Sequence, residues 1–171
     1  MPAAPARHYP VLMTTVIRRA QIDDVDRLGQ LHSRCWGELY SRVLPPDVLA
    51  ELDPAVMAQL WRRFVTRGDE YAQYVAEVDG EIVGFAGFGP GRDEGFADLR
   101  EVYFVYVEQG RQRQGIGSAL LAAETDAAYL WVSERNRPAH KFYRRNRFGP
   151  DSRRRIGSLF GTDLPEIRMA R

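Results

Sequence analysis

The sequence predicts one domain of mixed α/β (α+β) class, and three observations carry that prediction. Strand-type runs alternate with segments of helical apolar period from one end of the chain to the other. Two apolar runs flank Asp79-Gly80, a strong signal for an antiparallel hairpin. A length of 171 residues, of which 44% are hydrophobic, lies in the single-domain range and suffices for a sizeable core.

The elements follow in order. Residues 1–12, rich in Pro and Ala, are expected to form a disordered N-terminal tail, with the domain occupying 13–171 and Met13 a candidate start. Thr15-Val16-Ile17-Arg18 reads as a first strand. Asp23 or Asp24 then caps a helix with Val25, Leu28, Leu31, Cys35 and Trp36 on one broad face. Leu44-Pro45-Pro46 interrupts it. Asp53-Pro54 is an N-cap followed by proline at the first helical position; Val56, Met57, Leu60, Trp61, Phe64 and Val65 form the apolar stripe, and Gly68 ends the helix. Residues 71–78 and 81–88 are the hairpin strands, 89–98 a loop, and a strand beginning near Leu99 ends at Val107. Ala119-Leu120-Leu121-Ala122-Ala123-Glu124 is strong helix-forming sequence. Tyr129-Leu130-Trp131-Val132-Ser133 is another strand, followed by a helix behind Asn136 and a closing strand pair.

Residues 107–118 carry the chemistry. A buried strand there empties through a basic, glycine-containing loop into a helix N-terminus, where unpartnered N–H groups and the helix dipole favour an anion. Gly115 and Gly117 would let a phosphate approach the backbone, and Arg111 and Arg113 add attraction. Gly110 and Gly115 have the spacing of a Walker A loop, but Ile116-Gly117 stands where that motif needs Lys and Ser/Thr. A dinucleotide fingerprint needs glycine at position 120, which is Leu120.

What remains, Gln112-x-x-Gly115-x-Gly117, resembles the acyl-CoA pyrophosphate loop of the GCN5-related N-acetyltransferase (GNAT) superfamily. A second stretch adds to the resemblance: Asn136-x-x-Ala139-x-x-Phe142-Tyr143, with Phe148 beyond it, is similar to the family's Asn-x-x-Ala-x-x-Phe-Tyr signature. The family usually has Gly just before that last Phe; here it is Arg147. Leu164-Pro165-Glu166-Ile167-Arg168-Met169 looks like the family's final strand.

The resemblance implies the GNAT fold, a mixed central sheet of six or seven strands flanked by about four helices. One departure stands out. Only 12 residues, 118–129, separate Gly117 from Leu130, where relatives typically have about eight more, which leaves about two and a half turns of helix.

The chemistry that the resemblance implies is acyl transfer from a thioester to an amine in a ternary complex, with acetyl-CoA as co-substrate. The acyl carbonyl would be polarised by the backbone N–H of Tyr106 or Val107, freed by a splay at 108–110, and the pantetheine would run along the strand as an added edge. The phosphates would lie on Gln112, Arg113, Gln114, Gly115, Ile116, Gly117 and Ser118. Asn136 would bind cofactor through its amide, or cap the helix before Pro138. Glu101 is the candidate base: it lies six residues before Val107, an even spacing that puts both side chains on one face, and its register resembles the base glutamate of the histone-acetyltransferase branch. A solvated strand-end residue is the plain alternative, and His32 the other candidate base. Tyr143 is the candidate acid for the departing thiolate, against a tyrosine that simply packs; Phe142 belongs to the core.

His8, His32 and His140 have no ligand spacing with one another or with Cys35, so no metal is expected. The lone cysteine forbids an intrachain disulfide and points to a reducing, cytoplasmic setting. No signal-type or transmembrane run appears, and a net charge of +1 gives no argument for nucleic acid or an anionic membrane. The arginines at 144, 145, 147 and 153–155 read as a solvated face or a contact to the CoA 3′-phosphate. The expected partner is a small-molecule, peptide or protein amine, with room for a homodimer; Trp36, Tyr40 and Glu38 hint at a small cationic amine. The alternative function is an acyl-CoA-binding regulatory module without turnover.

Overall fold

The computed structural model describes residues 14–42, 44–159 and 161–171. The expected tail at 1–12 lies outside them. Among the described residues, seven strands form one sheet: β1 (Thr15–Arg19), β2 (Ala72–Val78), β3 (Glu81–Pro90), β4 (Arg100–Val107), β5 (Ala127–Ser133), β6 (Gly149–Leu159) and β7 (Thr162–Ala170). Their order across the sheet is β1-β2-β3-β4-β5-β7-β6. Only β4 and β5 run parallel; every other neighbouring pair is antiparallel. Five α-helices of the described residues accompany it: α1 (Val25–Tyr40), α2 (Pro46–Ala50), α3 (Pro54–Val65), α4 (Ile116–Ala122) and α5 (Arg137–Arg145). Among the described residues no helix is long and apolar enough to cross a membrane.

The sheet buries both faces, which is why β3 is an almost unbroken buried run rather than an alternating one. On one face α4 and α5 contribute Ile116, Leu120, Leu121 and Tyr143 to a core with Val83, Val102, Leu130 and Met169. On the other, α1 and α3 press Leu28, Leu31, Cys35 and Trp61 onto Val75, Ile82 and Phe85. Trp61, Leu28 and Phe85 have no exposed surface, and each such burial stabilises the fold by roughly 1.5–3 kcal/mol.

Local sequence explains the joints. Asp79 and Gly80 both adopt positive φ, 51° and 83°, as a two-residue hairpin turn demands. The Asp53 carboxylate accepts from the N–H groups of Ala55 (2.7 Å) and Val56 (3.4 Å) ahead of Pro54, the expected cap. Asp24 acts differently from a helix cap. Its carboxylate takes both Nη atoms of Arg18 (2.7 and 2.9 Å) and the Gln21 N–H (2.8 Å), stapling β1 to the start of α1. The hydrogen bonds from Arg18 hold that carboxyl below its usual range.

Three details differ from the sequence reading. The segment after Leu44-Pro45-Pro46 forms the short helix α2, too brief to show a period. Val56 is half exposed, at 50%, and leaves the α3 stripe to Met57 and Trp61. The helix α3 ends at Val65, ahead of Gly68. The helix α4, by contrast, keeps only seven residues, the shortening that the 12-residue spacing implied. Arg147, in the place of the family's glycine, holds a left-handed φ of 70°, a conformation that costs a non-glycine residue energy.

The joint between α1 and α3 is backbone against backbone. A Cβ built on Gly29 would stand 2.5 Å from the Pro54 carbonyl oxygen and 2.7 Å from the Ala58 nitrogen. Gly29→Ala should therefore force the helices apart and cost about 1–3 kcal/mol, lowering Tm by roughly 2–4 °C per kcal/mol. A thermal melt unchanged from the parent protein would refute this close contact.

Candidate active site

The sheet comes apart at its centre. The parallel register of β4 with β5 covers only Arg100↔Ala127, Glu101↔Tyr129 and Val102↔Leu130; beyond it β5 continues along β7 and β4 along β3. The parting begins at Tyr103, an extra residue in β4 where Gly87↔Phe104 is followed by Phe88↔Val102. Such a bulge bends its strand and raises the twist. The splay thus opens five residues earlier than the 108–110 segment expected from sequence. Residues 103–107, central in the sheet, are only half buried as a result.

The direction of the backbone groups at this opening is fixed by the ladder. The Glu108 N–H donates to the Val83 carbonyl (2.9 Å), and groups two residues apart share an edge. The N–H of Tyr106 therefore faces β3, while those of Val107 and Val105 face the gap. Of the two expected carbonyl-polarising groups, the Val107 N–H faces the gap and the Tyr106 N–H faces β3. The Val105 N–H, of the same parity as Val107, faces the gap as well. The Val107 carbonyl, on the same open edge, accepts from Gln112 Nε2 at 3.1 Å.

The loop at the end of β4 gathers the other expected anion-binding residues. A single turn over Gln109–Arg111 leads to Gln112, Arg113 and Gln114, all exposed, and then into α4. Arg113 and Gly115 both take positive φ, 62° and 85°. At Gly115 a Cβ would meet nothing within 4 Å, so its backbone is open to a ligand. Gly117 has another purpose. Its missing Cβ would stand 3.1 Å from the Phe142 ring, so it lets α4 close on α5. Ile116 is buried in the core, and Ser118 is exposed on the first turn. Asn136 sits at the start of α5, where its Oδ1 accepts from the Ala139 N–H (3.1 Å), the capping half of its two expected roles. Of the arginine group, Arg155 is held by Glu166 and Arg154 by Glu134.

Three phenols, those of Tyr143, Tyr106 and Tyr40, lie within reach of one another. Tyr143 is buried in the α4–α5 core beside Phe142 and Phe148. Burial, and then the neighbouring phenol of Tyr40, push its hydroxyl above the usual tyrosine range. Tyr106 lies on the α1–α3 face, hydrogen-bonded to Tyr40 and sensing Tyr143, and burial raises it well above that range too. Tyr40, at the end of α1, thus links the two faces; no local pattern in the sequence announces it.

Glu101 is fully buried. It accepts from the Arg92 backbone N–H (2.9 Å), Arg92 Nε (3.1 Å) and Nη2 (2.5 Å), and the Tyr129 hydroxyl (3.1 Å). The even-spacing argument fails here, because the bulge at Tyr103 inverts the alternation. Val102, Val105 and Val107 pack on the α4–α5 face, while Phe104 and Tyr106 pack on the other. Glu101, next to Val102, shares the face of Phe104 and Tyr106, opposite Val107. His32 is buried too; its Nδ1 accepts from Trp61 Nε1 (3.1 Å), and burial lowers its pKa to about 4. A neutral histidine with so little basicity is a poor general base. Among the described residues no three His, Cys, Asp or Glu side chains gather as a metal site.

The open β4 edge and the uncovered backbone at Gly115 suit an extended ligand ending in phosphates. Gly115→Val should weaken CoA binding at least tenfold, about 1.4 kcal/mol, because a branched residue resists φ near 85°. Calorimetric titration with CoA checks this, and an unchanged affinity in a folded variant would contradict it.

Comparisons with known proteins agree with this geometry. The model of the acetyltransferase (GNAT) domain matches residues 69–149. The uncharacterized N-acetyltransferase YuaI of Bacillus subtilis is 32% identical over 135 residues, covering 74% of this chain and 76% of YuaI. PaiA N-acetyltransferase from Thermoplasma acidophilum, solved in complex with coenzyme A, superposes with a TM-score of 0.68 at 16% identity, over 93% of this chain and 100% of that one. Ribosomal-protein-alanine N-acetyltransferase from Brucella melitensis does so with a TM-score of 0.66 at 25% identity, over 91% and 98%. The sheet that parts between β4 and β5, the glycine loop behind it and these matches lead to one conclusion: the chain belongs to the GNAT acetyltransferase family.

Proposed function

We propose that the protein transfers the acetyl group of acetyl-CoA to a primary amine by direct attack in a ternary complex. The observation that carries this reading is the unpaired edge of β4, whose Val105 and Val107 N–H groups face the gap between the open Gly115 loop and the three phenols. Acetyl-CoA supplies the thioester when bound. The residues of the chain do the rest. The pyrophosphate is held by backbone groups of residues 112–118, with Asn136 on the facing side of the gap. The Val107 N–H donates to the acyl oxygen as charge grows on it, a contact worth most in the transition state.

The amine nitrogen bonds to the acyl carbon, the carbon–sulfur bond breaks, and sulfur keeps the electron pair. Tyr143 donates its phenolic proton towards that sulfur; burial keeps the phenol protonated throughout the working pH range but also weakens it as an acid, so the transfer follows the build-up of negative charge on sulfur rather than leading it. The proton lost by the amine passes through water to Glu101, whose oxygens are too buried for direct contact. The acceptor lies on the α1–α3 face, the side that Tyr40 and Tyr106 present. The Brucella relative, which acts on a ribosomal-protein alanine, supports a peptide or protein amine as acceptor.

Tyr143→Phe keeps the ring packing on Phe142 and Phe148 and removes only the donor. It should lower kcat roughly tenfold or more while acetyl-CoA affinity stays the same. Full activity at saturating amine would leave the sulfur to be protonated by solvent. Glu101→Gln should lower kcat by roughly 10²-fold with little change in KM for acetyl-CoA. If kcat is unchanged, Glu101 serves only to anchor Arg92.

A further inference from the structure

A cavity of about 470 Å³ opens on the α1–α3 face, with His32, Trp36, Phe64, Gln73, Arg92 and Phe104 in its lining. It adjoins the phenols: the Tyr106 ring lies 5.9 Å from that of His32 and 6.5 Å from that of Trp36. Two of its polar atoms, His32 Nε2 and Gln73 Oε1, are buried with no hydrogen-bond partner among the described residues. The residues are only 2% and 5% exposed, so bulk water does not serve them. Orphaned buried groups of this kind cost stability and call for a function.

Their chemistry is complementary. Because Trp61 Nε1 donates to His32 Nδ1, the ring hydrogen resides on Nε2, which is therefore a donor. Gln73 offers an acceptor, in space that the missing Cβ of Gly87 leaves free: a Cβ there would stand 2.6 Å from Gln73 Oε1. Around this pair the wall is aromatic. The charged residues that reach it, Arg67 and Arg92, are both cationic, stacked on Tyr71 and Tyr103 at 3.8 and 4.4 Å. Glu38, which hinted at a cationic amine, is exposed and is not part of this lining.

We infer that the cavity holds the body of the amine acceptor, an α-amino amide with an aromatic or bulky apolar side chain, whose amide C=O accepts from His32 Nε2–H and whose amide N–H donates to Gln73 Oε1. The role as acceptor rests on the acetyl-transfer reading; the binding does not. Free amino-acid amides and peptide N-termini share this chemistry, whereas a polyamine would bring a second cation against Arg67; the charge of Arg92 is already met by Glu101.

Titration calorimetry on the full chain without acetyl-CoA tests it, with four probes: phenylalaninamide, phenethylamine (the same ring and amine without the amide), spermidine, and the tripeptide Phe-Ala-Ala. Phenylalaninamide should bind at least about tenfold tighter than phenethylamine or spermidine, and Gln73→Met should erase most of that margin. A tripeptide tighter than phenylalaninamide assigns the site to peptide N-termini; a weaker one assigns it to free amides. Equal affinity for phenylalaninamide and phenethylamine overturns the inference, as does a crystal structure with only an ordered water bridging His32 and Gln73 in saturating phenylalaninamide. Should Gln73→Met fail to fold, the comparison of probes on the parent protein still decides. A parallel CoA titration separates the two readings: CoA binding without amide selectivity sinks the cavity alone, and the reverse sinks acetyl transfer alone.

Discussion

Everything at the functional end of this molecule follows from a backbone ladder that stops early. Interior peptide groups are almost always paired, yet β4 loses its β5 partner after Val102 and runs on to Val107 with one edge open. The two cores make this tolerable. Each sits on its own face and grips β4 by alternate side chains, so the strand stays in place without a neighbour on that edge. On the proposed reading, the extended thioester arm of a coenzyme takes the place of the missing strand, and the loop after β4 takes its charged end.

The same arrangement distributes the polar work. Around the opening, ion pairs hold the supporting strands: Arg168 reaches Asp93 and Asp151 at 2.9 and 2.6 Å, tying the β3–β4 loop to β6 and β7. Arg92 and Glu101 hold the near end of that loop against β4. Loop residues therefore stand over the bulge on a braced frame, which suits a site that must keep reacting groups at fixed distances.

Much of this was legible in the sequence where the cause is local. Asp79-Gly80 announces its turn because few other pairs accept two positive φ angles, and Asp53-Pro54 announces a helix start through its own hydrogen bonds. The strand–loop–helix around Gly115 and the segment from Asn136 to Tyr143 were also legible. What escaped depends on neighbours distant in the chain. One inserted residue at Tyr103 inverted the faces and moved Glu101 away from Val107's side; alternation alone does not reveal an insertion. Glycine spacing placed Gly115 and Gly117 in one loop, but only the packing of α5 shows that the bare side of Gly117 meets Phe142. The meeting of Tyr40, Tyr106 and Tyr143 joins three elements and has no signature in any of them.

The bulge also bears on how this chain could change by loss of a single codon. Deleting an ordinary residue from a two-faced strand exchanges its inward and outward side chains and wrecks both cores. Deleting Tyr103 does not, because it is the supernumerary residue: Val102 and Phe104 would then oppose Phe88 and Gly87 as consecutive pairs, each keeping its present core. The strand would straighten and its free edge would swing back towards β5. Such a deletant would inherit a sound fold with a closed gap, a short genetic route from an enzyme to an inert scaffold.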